Sequence, residues 1–164
     1  MDNKSFTAFN MTAEILTPED SEELYTVLAE EFVLTNCEPT QRRRLKRILK
    51  SYIKYTFDEN NDRNIAVGVR KDGKLVAGAL LNDKDDVPWI GCLNVSKKYR
   101  RTRVIVVLMH FILNILYKDK IVKLDSDSTK DYGKRVVYMG REINMSAFTK
   151  QACKDFEKAA LRSK

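Results

Sequence analysis

Residues 64–83 are predicted to form a β-hairpin, and this feature restricts the fold more than any other in the chain. The runs NIAVGVR and KLVAGALLND are rich in β-branched and apolar residues, and they flank Lys71-Asp72-Gly73. Asp-Gly is a favoured pair for a tight hairpin turn. Residues 89–96, WIGCLNVS, predict a third strand, and its near-continuous apolar character indicates a central position in the sheet.

The N-terminal third predicts one strand and two helices. Residues 11–17, MTAEILT, have strand character, and Thr17 and Pro18 then supply a cap and a first helical residue. The apolar stripe of this first helix consists of Leu24, Leu28 and Phe32. Residues 1–10 are expected to be flexible.

Residues 41–57 predict a second, strongly basic helix. The positions that fit its apolar stripe are Leu45, Ile48, Leu49, Tyr52 and Thr56. Seven cations and no acids lie between Arg42 and Lys54, which fits either a solvated face or a surface for nucleic acid or an acidic partner. The spacing of Tyr52, Tyr55 and Phe57 favours core packing over base stacking.

The second half of the chain predicts alternating helices and strands. A helix is expected over residues 101–118, a strand over 120–128, a short helix over 129–139, a strand over 141–149 and a final helix over 150–164. A three-strand meander followed by such alternation predicts an α/β fold with a mixed, mostly antiparallel central sheet flanked by helices. No linker divides the chain, so residues 11–164 are expected to form a single domain.

Composition excludes several classes of protein. Hydrophobic residues make up 43% and charged residues 32% of the 164 residues, as in a soluble globular domain. The longest apolar run, Val104–Tyr117, is too short to cross a bilayer, and no signal sequence is visible. With one histidine, His110, and three scattered cysteines, no metal site is expected, and a cytoplasmic location with reduced thiols is the default.

A dense basic cluster follows the third strand of the meander. Five cations lie within the seven residues from Lys97 to Arg103, without an acid among them, and an apolar helix is predicted to begin directly afterwards. Cations oppose the dipole at a helix N-terminus, so a bound phosphate would compensate for them. The alternative interpretation is a solvated helix start.

The order of these elements, with CLNVSKKYRRTRV at its centre, resembles the GCN5-related N-acetyltransferase (GNAT) family. Leu93 and Val95 match the family's L-x-V strand, and Tyr99-Arg100 matches the start of its basic turn. The resemblance implies that backbone amides of this turn hold the pyrophosphate of acetyl-CoA. The cofactor-binding residues that it implies are Leu93, Asn94, Val95, Lys98, Arg100, Arg101, Thr102, Arg103, Val104, Ile105 and, further along, Thr129.

The segment EILTPEDSEELYTVLAEEFVLTNCEPT resembles the opening of the arylalkylamine-type acetyltransferases. This resemblance places a general base at Glu38. Tyr132 and Tyr138 are candidate proton donors to the departing thiolate, although the family position for that tyrosine holds Val136.

Two functions remain open on these residues. The first is acetyl-CoA-dependent N-acylation of a primary amine of a small molecule or protein by direct attack on the thioester. The second is a catalytically inactive GNAT-fold protein that binds or inhibits through its basic surfaces, since Arg103 and Ile105 replace the two small residues of the family turn. The expected partners are acetyl-CoA and an amine acceptor. Nucleic acid is a weaker expectation, a homodimer is compatible with the sequence, and no membrane partner is expected.

Overall fold

The computed structural model describes residues 4–34, 38–82, 88–118 and 123–124. The strands are β1 (Ser5–Ala8), β2 (Met11–Ile15), β3 (Asn64–Lys71), β4 (Lys74–Asn82), β5 (Trp89–Val95) and β6 (Lys123–Leu124). The helices are α1 (Ser21–Leu34), α2 (Pro39–Thr56) and α3 (Val104–His110), with short 3₁₀ turns at Pro18–Asp20 and Lys97–Tyr99. A π-helical segment, Phe111–Leu116, continues α3.

The six described strands form one sheet in sequential order, β1-β2-β3-β4-β5-β6. All neighbouring pairs are antiparallel except β5 and β6, which are parallel and are connected through α3. The predicted α/β class with a mixed, mostly antiparallel sheet is therefore confirmed. The predicted elements over 129–139, 141–149 and 150–164 lie outside the described residues.

The meander was predicted well. The turn between β3 and β4 consists of Asp72 and Gly73, with φ of 52° and 78°, and it brings Lys71 opposite Lys74. Both central residues have positive φ, which is the conformation that Asp-Gly adopts most readily in a two-residue hairpin.

The prediction of a flexible segment over residues 1–10 is wrong for Ser5–Ala8. This stretch pairs with β2 through a tight turn in which Phe9 and Asn10 have φ of 55° and 60°. Asn tolerates this left-handed conformation, but Phe seldom adopts it. Only one of the two turn residues, Asn10, therefore indicates a tight turn in the sequence.

The two faces of the sheet carry different helices and separate clusters of buried side chains. Helices α1 and α2 cover one face, where Leu24, Leu28 and Leu49 are buried. Helix α3 covers the other face, where Val107, Leu108 and the following Phe111, Ile112 and Leu113 pack on β2, β3 and β4. The side chain of Phe32, predicted for the α1 stripe, lies outside the described part of the structure.

Helix α2 is rotated relative to the prediction. Leu49 and Thr56 are buried as expected, but Ile53 takes the place predicted for Tyr52. Tyr52 is 55% exposed, Tyr55 is 59% exposed and Ile48 is 37% exposed. The interpretation of Tyr52 and Tyr55 as core residues is therefore wrong in the described structure.

An ionic cluster fixes the start of α1 against the hairpin. The guanidinium of Arg70 on β3 contacts the carboxylates of Glu14, Asp20 and Glu23, at 2.7 Å for Glu14 and 2.8 Å for Glu23. The other oxygen of Glu23 accepts the backbone N–H of Leu75 at 2.8 Å. The pKa of Glu23 lies below its ordinary value of 4.5. The main cause is this backbone N–H, and the second is the Arg70 guanidinium.

We expect Glu23→Gln to lower the free energy of unfolding at neutral pH by about 1 kcal/mol, a small value because the carboxylate is half-exposed. A lowered folded-state pKa stabilises the fold above the unfolded value of 4.5, and this contribution disappears as the pH falls through the folded-state pKa. Urea unfolding at neutral pH and below pH 4 measures the difference. Glu22→Gln, which changes the exposed neighbour, should match the wild type at both pH values, and an equal loss in both variants would contradict the prediction.

Candidate functional site

Strand β5 contains a bulge in its second half. Two of its residues, Cys92 and Leu93, stand opposite the single residue Ala79 of β4. Cys92 has φ of 46°, in the left-handed region that residues other than glycine seldom adopt. A bulge of this kind bends the strand and turns its backbone N–H groups away from the regular ladder. Cys92 itself is partly buried and packs against the cluster beneath α1.

The basic turn, residues 96–103, connects β5 to α3 and contains no glycine. The backbone N–H of Ser96 donates to the carbonyl of Val76 on β4 at 2.9 Å, and this bond fixes the start of the turn to the sheet. Arg101 adopts the left-handed conformation, with φ of 63°. The hydroxyl of Thr102 donates to the carbonyl of Tyr99 and lies 3.4 Å from the N–H of Val104. The hydrogen bonds of the Thr102 hydroxyl and the left-handed conformation of Arg101 thus shape the turn.

The side chain of Arg100 forms hydrogen bonds between the basic turn and β5. Its Nε donates to the carbonyl of Val95 at 3.0 Å, and its Nη2 donates to Oδ1 of Asn94 at 2.9 Å. Asn94 is only 6% exposed, and its Nδ2 donates to the carbonyl of Val27 on α1 at 2.7 Å. One buried amide therefore links β5, α1 and the basic turn.

Two other cations of the turn lie against aromatic rings. The ammonium of Lys98 is 5.7 Å from the centroid of the Tyr99 ring, which Lys71 approaches at the same distance. The guanidinium of Arg103 lies 4.4 Å from the centroid of Phe9, in the turn between β1 and β2. None of the five cations from Lys97 to Arg103 forms an ion pair with a residue that the structure describes. One described carboxylate does contact the turn, because Glu30 of α1 accepts the backbone N–H of Lys97 at 2.7 Å.

Helix α3 begins directly after these cations. Its first amides have no intrahelical acceptor, as at any helix N-terminus, and its dipole adds positive potential there. Arg103 has φ of −75°, so glycine's access to positive φ is not needed at this position. Ile105 is partly buried and packs against the core cluster beneath α3.

The remaining predicted site residues are placed as follows. Glu38 precedes the first residue of α2, and its exposed side chain makes no capping hydrogen bond. Its carbonyl accepts the N–H of Arg42 at 2.9 Å. Thr129, Tyr132 and Tyr138 lie outside the described residues.

His110 is part of the packing. Its ring centroid lies 4.4 Å from that of Phe6, and its Nδ1 lies 3.2 Å from Nδ2 of Asn114. The π-helical segment that begins at the next residue has no signal in the sequence pattern.

Within the described residues, no group of three His, Cys, Asp or Glu side chains is placed to hold a metal ion. In the same part of the chain, no helix has the length and apolar content that crossing a bilayer requires.

The sequence profile of the acetyltransferase (GNAT) family matches residues 21–136, most of the chain. The chain belongs to this family. The GNAT match begins with α1 and includes the meander, the bulged strand, the basic turn and α3. The resemblance to the GNAT family is thereby confirmed, and so are the acetyltransferase class and acetyl-CoA as the cosubstrate that this family uses.

Solved structures share the GNAT fold at low identity. PaiA N-acetyltransferase from Thermoplasma acidophilum, solved with coenzyme A, is 18% identical over 78% of this chain and 86% of its own, with a TM-score of 0.61. Ribosomal-protein-alanine N-acetyltransferase from Brucella melitensis biovar Abortus is 15% identical over 78% and 87%, with a TM-score of 0.53. An aminoglycoside acetyltransferase from an uncultured soil metagenomic sample, solved with sisomicin, is 16% identical over 86% and 88%, with a TM-score of 0.52. No curated protein sequence matches the chain significantly.

Proposed function

We propose that this GNAT protein transfers an acetyl group from acetyl-CoA to a primary amine of a small molecule or protein. The observation that carries the proposal is the unit formed by the bulged strand β5, the basic turn and the N-terminus of α3. Backbone amides at the start of a helix, surrounded by cations that form no ion pair with another described residue, suit a diphosphate. The residues that would hold the coenzyme are the amides from Val104 onward, together with Lys98 and Arg101.

The two departures from the family turn are compatible with this assignment. The side chain of Arg103 is directed to the ring of Phe9, and that of Ile105 packs against the core. Neither position requires positive φ, because Arg103 has φ of −75° and Ile105 is helical. These observations support an accessible set of amides at the start of α3.

The chemistry divides between the coenzyme and the chain. Acetyl-CoA supplies an acetyl group activated as a thioester. The candidate groups to stabilise negative charge on a carbonyl oxygen are the backbone N–H groups of residues 93–95, next to the bulge at Cys92 and Leu93, because a bulge disrupts the regular ladder. Glu38 remains our candidate to accept the proton of the amine, and Tyr132 and Tyr138 remain candidates to donate one to the thiolate.

Coenzyme binding is the first test. Thermal unfolding with coenzyme A at about 100 times its Kd should show a stabilisation of about 2.7 kcal/mol. We expect Lys98→Gln/Arg101→Gln to weaken binding roughly tenfold, because two exposed cations that contact phosphate contribute on the order of 1.4 kcal/mol together. The control Lys4→Gln/Lys118→Gln removes the same charge at exposed sites outside the turn and should leave the affinity unchanged. Absence of stabilisation in the wild type at millimolar coenzyme A would contradict the proposal.

Turnover is the second test, because it separates the enzyme from an inactive binding module. Arg103 and Ile105 at the small positions of the turn are the observation that favours the module. The fold neighbours include acetyltransferases named for an aminoglycoside and for the alanine of a ribosomal protein. Release of free thiol from acetyl-CoA should therefore be measured with an aminoglycoside and with a peptide that begins with alanine. Coenzyme binding without thiol release from any primary amine would support the module instead.

A further inference from the structure

The exposed side of α2 carries cations and aromatic rings together. We call it the basic–aromatic face, and its members are Arg43, Arg44, Arg47, Ile48, Tyr52, Lys54 and Tyr55. All seven side chains are exposed, whereas the buried positions Leu49, Ile53 and Thr56 lie on the opposite side of the helix. The coenzyme site proposed above does not include this face.

The spacing of these residues places them in two adjacent lines along the helix. Arg43, Arg47 and Lys54 follow the i, i+4, i+11 pattern of one line. Arg44, Ile48 and Tyr55 repeat the same pattern one position later, and Tyr52 follows Ile48 by four residues, so these four form a second line beside the first. Each line is about 16 Å long at a rise of 1.5 Å per residue. The first line is thus entirely cationic, and the second combines Arg44 with apolar and aromatic side chains.

The cations of this face form no ion pair with another described residue. The three ion pairs among the described residues all belong to Arg70, and none involves Arg43, Arg44, Arg47 or Lys54. Like charges four residues apart on a helix repel each other, so this arrangement costs helix stability. An anionic partner would relieve that repulsion.

A cleft adjoins one end of the face. It has a volume of about 910 Å³, and Tyr25 of α1 with Lys50, Lys54 and Phe57 of the α2 end contribute to its walls. The ammonium of Lys50 lies 4.9 Å from the centroid of the Tyr25 ring. Cations and rings therefore meet again in this cleft, which the carboxylates of Glu22, Asp58 and Glu59 also line.

We propose that the basic–aromatic face binds single-stranded nucleic acid. The cations contact phosphates, and the rings of Tyr52 and Tyr55 stack on bases, an arrangement common to proteins that bind single strands without sequence preference. A duplex offers no base faces to these rings. An acidic peptide would use the cations but has no reason to use the exposed tyrosines, which are 55% and 59% accessible.

Fluorescence anisotropy with a short labelled oligouridine and an oligothymidine tests the proposal. The logarithm of the affinity should fall linearly with the logarithm of the salt concentration, with a slope of about 0.7 per phosphate contact. Arg47→Gln/Lys54→Gln should reduce this slope by about 1.4. Tyr52→Ala/Tyr55→Ala should weaken binding by about 30-fold or more while leaving the slope unchanged.

Two controls keep the outcomes distinguishable. Lys4→Gln/Lys118→Gln removes the same charge outside α2 and should bind like the wild type. Thermal stabilisation by coenzyme A, measured on every variant, reports the intact fold and tests the proposed function separately. Absence of oligonucleotide binding at low salt would overturn the proposal. An unchanged affinity in the tyrosine variant, or oligoglutamate binding as tight as that of the oligonucleotide, would also overturn it, and the latter result would indicate an acidic protein partner.

Discussion

We expect Asn94→Leu to lower the free energy of unfolding by about 2 to 3 kcal/mol and to weaken coenzyme A binding. The buried amide of Asn94 donates to Val27 on α1 and accepts from Arg100 in the basic turn. Leucine has a similar volume but can make neither bond, and loss of a buried hydrogen bond with a partner left behind costs about 1 to 3 kcal/mol. Urea unfolding with linear extrapolation measures the stability change.

Asn94→Asp separates the two bonds of this amide. Aspartate still accepts from the guanidinium of Arg100, but it places a carboxylate oxygen against the carbonyl of Val27, where the amide donated. This variant should lose stability like the leucine variant because the contact with α1 is repulsive. Below its melting temperature it should bind coenzyme A more tightly than the leucine variant does. Equal coenzyme affinity in the two variants would show that the Arg100 bond does not position the turn.

The parts of the fold that local signals encode were predicted from the sequence. Asp72-Gly73 specifies a two-residue turn by its own backbone preference, and Thr17 with Pro18 marks the beginning of a helix in the same local way. In the structure the N–H of Thr17 donates to a carboxylate oxygen of Asp20 at 2.9 Å, which completes a capping box. These interactions join residues at most three positions apart, so the pattern alone suffices.

The rotation of α2 was not predictable in the same way. Ile48 and Tyr52 continue an apolar line through Thr56, whereas Leu49 and Ile53 form a line beside it, and both lines satisfy a helical period. Only contact with α1 and β3 decides which line is buried. The tyrosines were assigned to the core for this reason, and their exposure emerged only with the tertiary structure.

The sequence predicted where the candidate site lies along the chain, but it did not predict the contacts that shape the site. The basic turn was identified from its charge and its place between a strand and a helix. The bulge at Cys92 depends on how β5 pairs with β4, and the bonds of Arg100 depend on Asn94 being held by α1. Both are long-range relations that no spacing within residues 89–105 encodes. The positive φ of Arg101 has no local signal either, because arginine carries none of the preference that marks glycine or asparagine.

We expect Gly68→Ala to lower the free energy of unfolding by about 3 kcal/mol, at the upper end of the cost of overpacking a core. A Cβ at this position of β3 would lie 2.5 Å from Cδ1 of Leu75, 2.9 Å from the carbonyl oxygen of Ala77 and 3.2 Å from Cδ1 of Leu16. The carbonyl oxygen belongs to the paired strand β4 and cannot rotate away as a side chain can. The strands must therefore separate locally or the new methyl group must remain strained.

Two other glycines of the meander provide a graded control by the same substitution. At Gly78 a Cβ would meet Cδ1 of Leu24 at 2.6 Å but no backbone atom closer than 3.5 Å, so a rotamer change of Leu24 can relieve part of the clash. At Gly91 the nearest atom lies 3.7 Å away, which is an ordinary contact, and alanine there should change stability by less than about 0.5 kcal/mol. Urea unfolding should therefore rank the losses as Gly68 above Gly78 above Gly91. A loss at Gly91 equal to that at Gly68 would mean that strand glycines stabilise this sheet through backbone conformation, because the close contacts at Gly68 have no counterpart at Gly91.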